Sequence, residues 1–162
     1  SFLLSAQRDS PDYYKSNSWE HYMAYLESHR ENFPASAYTI ATSPWWYSFE
    51  EPRAPHDSRL AKIEMGEVGW NGDEPPLCWL RIHLESAFSG MIVLHYPKVF
   101  AYSLQMAAEA RPAHGDWRFD EFSSESMPGR FTHTIEWADG PAWIITANDL
   151  IHEYRPDPNI PR

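Results

Sequence analysis

Residues 131–154, FTHTIEWADGPAWIITANDLIHEY, decide the fold. Phe131, His133, Ile135 and Trp137 alternate with Thr132, Thr134 and Glu136, the two-residue period of a half-buried strand. Asp139-Gly140 offers the positive-φ residues of a tight reversal, and residues 142–147 read as a second strand rich in Trp and Ile. The pair is a β-hairpin with Ile135, Trp137, Trp143 and Ile145 expected in or beside the core. Beyond it, Asn148-Asp149 reads as a cap or turn. On a helical turn Asp149 and His152 would stand as i,i+3 neighbours, with Glu153 next along.

The same alternation continues upstream. Ala61, Ile63 and Met65 alternate with Lys62 and Glu64, and a Gly-rich acidic loop spans 66–76. In 77–85, Cys78, Leu80, Ile82 and Leu84 oppose Trp79, Arg81, His83 and Glu85. Ser89-Gly90 turns into 91–96, and Pro97-Lys98 leads into 99–106. A loop around Arg111-Pro112 precedes a strand over 117–123. Six or seven strands with short links imply a meandering antiparallel sheet, compatible with a half-barrel. Ahead of them Trp19, Tyr22, Met23, Leu26, Arg30 and Phe33 recur at helical spacing over 18–32. Asn17 and Glu20 have the spacing of a capping box, and Pro34 stops the helix. Residues 34–41 suit a short second helix, 1–15 an irregular arm, and 155–162, with Pro156, Pro158 and Pro161, an extended tail. The expected class is α+β in one domain, an N-terminal amphipathic helix packed on the sheet.

With 162 residues and 43% apolar content the chain can bury a core without covalent staples. The net charge of −10 opposes a phosphate backbone and argues against nucleic acid as a partner. There is no long apolar run for a membrane span, and 1–6 is too short for a signal-peptide core. The single cysteine, Cys78, has no intrachain partner, which favours a reducing, cytoplasmic setting. Phosphate-binding glycine loops, H-E-x-x-H, C-x-x-C and the calcium-loop pattern are all missing, so no cofactor or metal is expected. His56-Asp57-Ser58 is adjacent in sequence, but neighbouring side chains of an extended segment diverge and do not make a triad. No catalytic residue is assigned.

Two surfaces remain. Trp45-Trp46-Tyr47 is followed by Glu50-Glu51, and consecutive large aromatics cannot all face one core. Rigid aromatic area beside acidic charge suits a basic protein partner. The alternative is a small enzyme or ligand-binding domain with a pocket lined by His83, Glu85, His95 and His133, which requires strand register to bring them to one face. The cupin pattern of histidines held by neighbouring strands needs an H-x-H pair, and this chain has none. In size, acidity, aromatic richness and lack of a catalytic motif the chain is similar in type to small bacterial immunity proteins. That resemblance implies a non-enzymatic protein that neutralises a cognate toxin by covering its active surface. A homodimer paired through an aromatic surface or an edge strand is a third reading.

Overall fold

Strands form where alternation is strongest. In the computed structural model, described for residues 1–107 and 113–159, they are β1 (Arg59–Val68), β2 (Leu77–Glu85), β3 (Met91–Ser103), β4 (Trp117–Ser124), β5 (Phe131–Trp137), β6 (Trp143–Ala147) and β7 (Ile151–Arg155). The loop around Arg111-Pro112 and the tail beyond Asn159, Pro161 included, lie outside the described residues. All pairings are antiparallel, in the order β1-β2-β3-β6-β5-β4, with β7 also on β3. Two three-stranded meanders, β1-β2-β3 and β4-β5-β6, are thus joined by the β3–β6 pairing. The sheet does not close. At one end, however, Arg59 bridges Asp116 and the Trp117 N–H donates to the Ser58 carbonyl at 2.8 Å, drawing the starts of β1 and β4 together.

The long β3 serves two neighbours on one side. Met91–His95 pairs with β7 and Val99–Ser103 with β6. Between them Pro97 has no N–H to give a ladder, and Asn148 fills the gap. Its N–H donates to the Lys98 carbonyl, and its side-chain oxygen accepts from the Lys98 N–H, both at 2.9 Å. β6 and β7 are therefore two pieces of one interrupted strand, and the segment after the Asn148-Asp149 turn continues the sheet instead of forming a helical turn. In the β5–β6 turn only Gly140 takes a positive φ, 85°; Asp139 does not. Between β2 and β3, Gly90 has φ 89°, and a Cβ there would meet the Arg155 carbonyl at 2.7 Å, so backbone approach as well as φ demands glycine.

One face of the sheet carries Leu80, Ile82, Leu84, Ile92, Leu94, Tyr96, Phe122, Phe131, Ile135, Trp143 and Ile145, all buried. Helices α1 (Ser5–Arg8), α2 (Ser18–Ser28) and α3 (Ala35–Ala41) accompany it. Tyr22 and Leu26 of α2 and Ala37, Ile40 and Ala41 of α3 join the same core. The helix expected over 18–32 ends at Ser28 and passes into a 3-10 turn at Arg30–Asn32. Asn17 stands before α2 with φ 52° and makes no side-chain cap bond, because a cap needs extended backbone at that position. The edge of β4 is closed by α2 instead. The Phe122 N–H donates to the Tyr22 hydroxyl at 2.8 Å, and the Ser124 N–H to the Tyr25 hydroxyl at 3.0 Å. Two tyrosines thereby occupy edge donors that would otherwise invite another strand.

The N-terminal arm is docked. Leu3 is buried in the core, and the Glu121 carboxylate accepts from the Phe2 and Leu3 N–H groups at 2.7 Å each. Glu136 accepts from the Ser5 N–H at 2.7 Å and from its hydroxyl.

Candidate functional site

The aromatic connection folds back on its own core. Pro44–Tyr47 forms one 3-10 turn, and this spreads consecutive rings in different directions. Trp46 points inward and is 1% exposed, so it offers no surface to a partner. Tyr47 is half-buried. Its hydroxyl donates to the Ala41 carbonyl at 2.7 Å and lies 3.1 Å from the Tyr22 hydroxyl, and burial pushes both phenols up, holding them protonated. Trp45 is partly exposed, but the Arg53 guanidinium covers its ring at 4.4 Å and His152 lies against it at 5.0 Å. Glu51 is occupied by the Arg53 side chain at 2.8 Å, a bond that lowers its carboxyl, while Glu50 is exposed and makes no ion pair among the described residues.

Trp46 leads to a buried polar chain. Its indole N–H donates to Asp120 Oδ2 at 2.8 Å, and the same oxygen lies 2.8 Å from His133 Nε2. His133 Nδ1 lies 2.7 Å from the Tyr96 hydroxyl, and the ring stacks on Phe122 at 4.3 Å. Burial keeps Tyr96 a phenol, hence a donor to Nδ1; the Nε2 proton then faces the carboxylate. Both ring nitrogens are engaged, so His133 has no free nitrogen with which to take a substrate proton. Asp120 borders a crevice of about 20 Å³, room for one water, walled by Trp46, Trp117, Phe119 and Arg8. This arrangement satisfies polar groups inside an aromatic core.

The other three residues of the expected pocket lie on the opposite side of the sheet. His83 stands across from Lys62 and Val93, alternate to the buried Ile82 and Leu84; His95 stands across from Arg81, and Glu85 from Arg59 and Met91. His83 Nε2 approaches Glu64 at 2.9 Å, and Arg81 Nε donates to His95 Nδ1 at 3.1 Å. Partial burial and the Arg81 charge lower the His95 pKa. His133 faces the core, so the four residues do not line one pocket. No three His, Cys, Asp or Glu among the described residues are placed to hold a metal ion.

Asp149 does not pair with His152. Its Oδ1 accepts from the Ala37 N–H at 2.9 Å and so caps the first turn of α3 from across the chain. His152, on β7, bonds the Arg53 carbonyl at 2.9 Å, and Glu153 pairs with Arg155 at 2.8 Å. His56 reaches the Arg118 carbonyl at 2.8 Å, and Ser58 is buried against Pro55, both serving the entry to β1.

An indole stands exposed at the tip of the β1–β2 hairpin. Trp70 is 68% exposed, the most exposed of the tryptophans, and its indole N–H donates to Glu67 at 2.8 Å. Asp73 and Glu74 on the same loop are exposed. Beside Trp70 a groove of about 320 Å³ runs between Glu67 and Lys98, floored by Leu77, Cys78, Val99 and Phe100. Burial and Glu67 raise the Cys78 thiol, which therefore has the character of a small apolar lining group. The loop's glycines and prolines signalled a turn in the sequence; a lone Trp within it has no periodicity and carried no signal of exposure. No protein family, curated protein or solved structure matches this chain.

Proposed function

We propose that this protein is a non-enzymatic binding module that occupies the surface of a basic protein partner, in the manner of an immunity protein covering a toxin. The observation that carries the reading is Trp70, held out on an acidic hairpin tip and backed by a groove whose apolar floor lies between Glu67 and Lys98. Exposed indoles beside pockets are the residue type on which interfaces concentrate their energy. Glu67, Asp73 and Glu74 around it, on a chain of net charge −10, would steer a cationic partner and speed its approach. The contact surface moves accordingly from Trp45–Glu51 to the hairpin, with Glu50 a peripheral acid.

The test is affinity capture of host proteins on the wild-type chain and on Trp70→Ala, followed by titration of the purified pair. A basic protein retained by the wild type should bind the variant at least about thirtyfold more weakly, the loss typical of a central anchor. Its association rate should fall as salt is raised. Retention of no basic protein, or equal affinity for the variant, would overturn the reading.

A further inference from the structure

The outer edge of β1 carries a charge pattern that is complementary to itself. Among the described residues β1 pairs only with β2 along its length, apart from the Arg59–Asp116 bridge at its first residue. Such an edge presents a row of unpaired backbone groups, normally blunted by charge. Of its charges Arg59, Lys62, Glu64 and Glu67, Lys62 and Glu64 flank Ile63 symmetrically and lie 3.0 Å apart within the chain, a pair that a second copy can extend into a four-charge cluster.

We infer that two copies of this chain pair antiparallel through β1, about a two-fold axis at Ile63. In that register Lys62 of one copy stands opposite Glu64 of the other, and the reverse, on the face that carries Arg81 and His83. Ile63 stands opposite Ile63 on the other face, where Met65 is 42% exposed, and the bulge between Leu60 and Lys62 ends the regular ladder before Ala61. Shifting the axis one residue sets Lys62 against Lys62 or Glu64 against Glu64, which is repulsive at directly opposed positions. Shifting it to Met65 sets Ile63 against Glu67 and leaves Lys62 against Val68. Charge and apolar pairing thus favour one register, and a two-fold closes the assembly at a dimer. The inference does not involve Trp70 and stands apart from the partner reading.

Sedimentation velocity of the wild type over a range of concentrations should show a reversible dimer that weakens as salt is raised. Lys62→Glu alone and Glu64→Lys alone each oppose like charges twice, and each should weaken self-association by about tenfold or more. Mixed in equal amounts, the two variants restore both opposite-charge pairs and should form a heterodimer. A second readout does not depend on Glu64→Lys folding. In a Cys78→Ser background, Ile63→Cys should oxidise to a covalent dimer, because only the residue on the axis faces its own copy. Ala61→Cys or Met65→Cys alone should not. A wild type that stays monomeric at high concentration overturns the inference. So does a dimer indifferent to both charge variants, or equal cross-linking at all three positions.

Discussion

Replacing Asp120 by alanine removes the acceptor at the centre of the buried chain. The carboxylate is 6% exposed, and its Oδ2 accepts two N–H groups, from Trp46 and His133, each at 2.8 Å. Both donors are themselves buried, at 1% and 0% exposure, and would be left without a partner. Each orphaned buried donor costs about 1–3 kcal/mol, so the pair predicts a loss of about 4 kcal/mol. In a chain of 162 residues that corresponds to a fall in Tm of roughly 8–16 °C. Urea unfolding followed by far-ultraviolet circular dichroism measures it, with thermal melting as a check. The companion variant Asp120→Asn keeps an acceptor of the same size and loses only the charge assistance, so its cost should be about half. Combined with His133→Phe, Asp120→Ala should cost clearly less than the two single losses summed, since both variants break one network. A loss below about 1 kcal/mol for Asp120→Ala, with additivity in the double variant, would refute the reasoning. It would mean that water from the neighbouring crevice replaces the carboxylate.

Other outcomes follow from the same contacts. Tyr22→Phe should lower stability by about 1–3 kcal/mol and speed amide exchange at Phe122, whose edge N–H loses its acceptor; unchanged exchange would count against helix closure of that edge. Glu121→Ala should free residues 1–8 and make Arg8 the earliest tryptic site, read by limited proteolysis and mass spectrometry. Burial lowers the His152 pKa in the folded chain, against the Arg53 carbonyl bond that raises it, so the unfolded chain binds the proton more readily. Its contribution is complete above the unfolded value of about 6.5 and is lost as pH falls through the lower folded one. The drop in stability between neutral and mildly acidic pH should therefore shrink in His152→Gln; an identical pH profile for the two proteins would refute this. Trp70→Ala should leave unfolding stability within about 0.5 kcal/mol of wild type, as fits an exposed side chain.

Much of the architecture was legible because alternation is local. β2 and β5 have the bounds their alternation implies, and Ile135, Trp137, Trp143 and Ile145 are all buried. β7 escaped because Asn148-Asp149 has turn composition; here the pair bridges β3 and caps α3, roles that exist only once those elements are adjacent. The candidate sites were legible least. Trp46 reads as surface in the sequence because three aromatics in a row overfill any one face of a strand, whereas a 3-10 turn distributes them around the chain. Trp70 sits outside any periodic pattern, so its exposure had no sequence signature.

The spacing of residues along the chain determined most of the strand segments, which residues within each share a face, and that a helix precedes the sheet, but not β7 or the continuity of β3 across Pro97. Tertiary structure alone decided that β6 lies beside β3, that His133 meets Tyr96 and Asp120 in the core, and that His83 and His95 face away from it. Strand order and register are set by pairings between segments far apart in sequence. A one-residue difference in those pairings exchanges the two faces, so the same histidines become a pocket, a surface row or a buried bond according to partners that the period of the chain does not name.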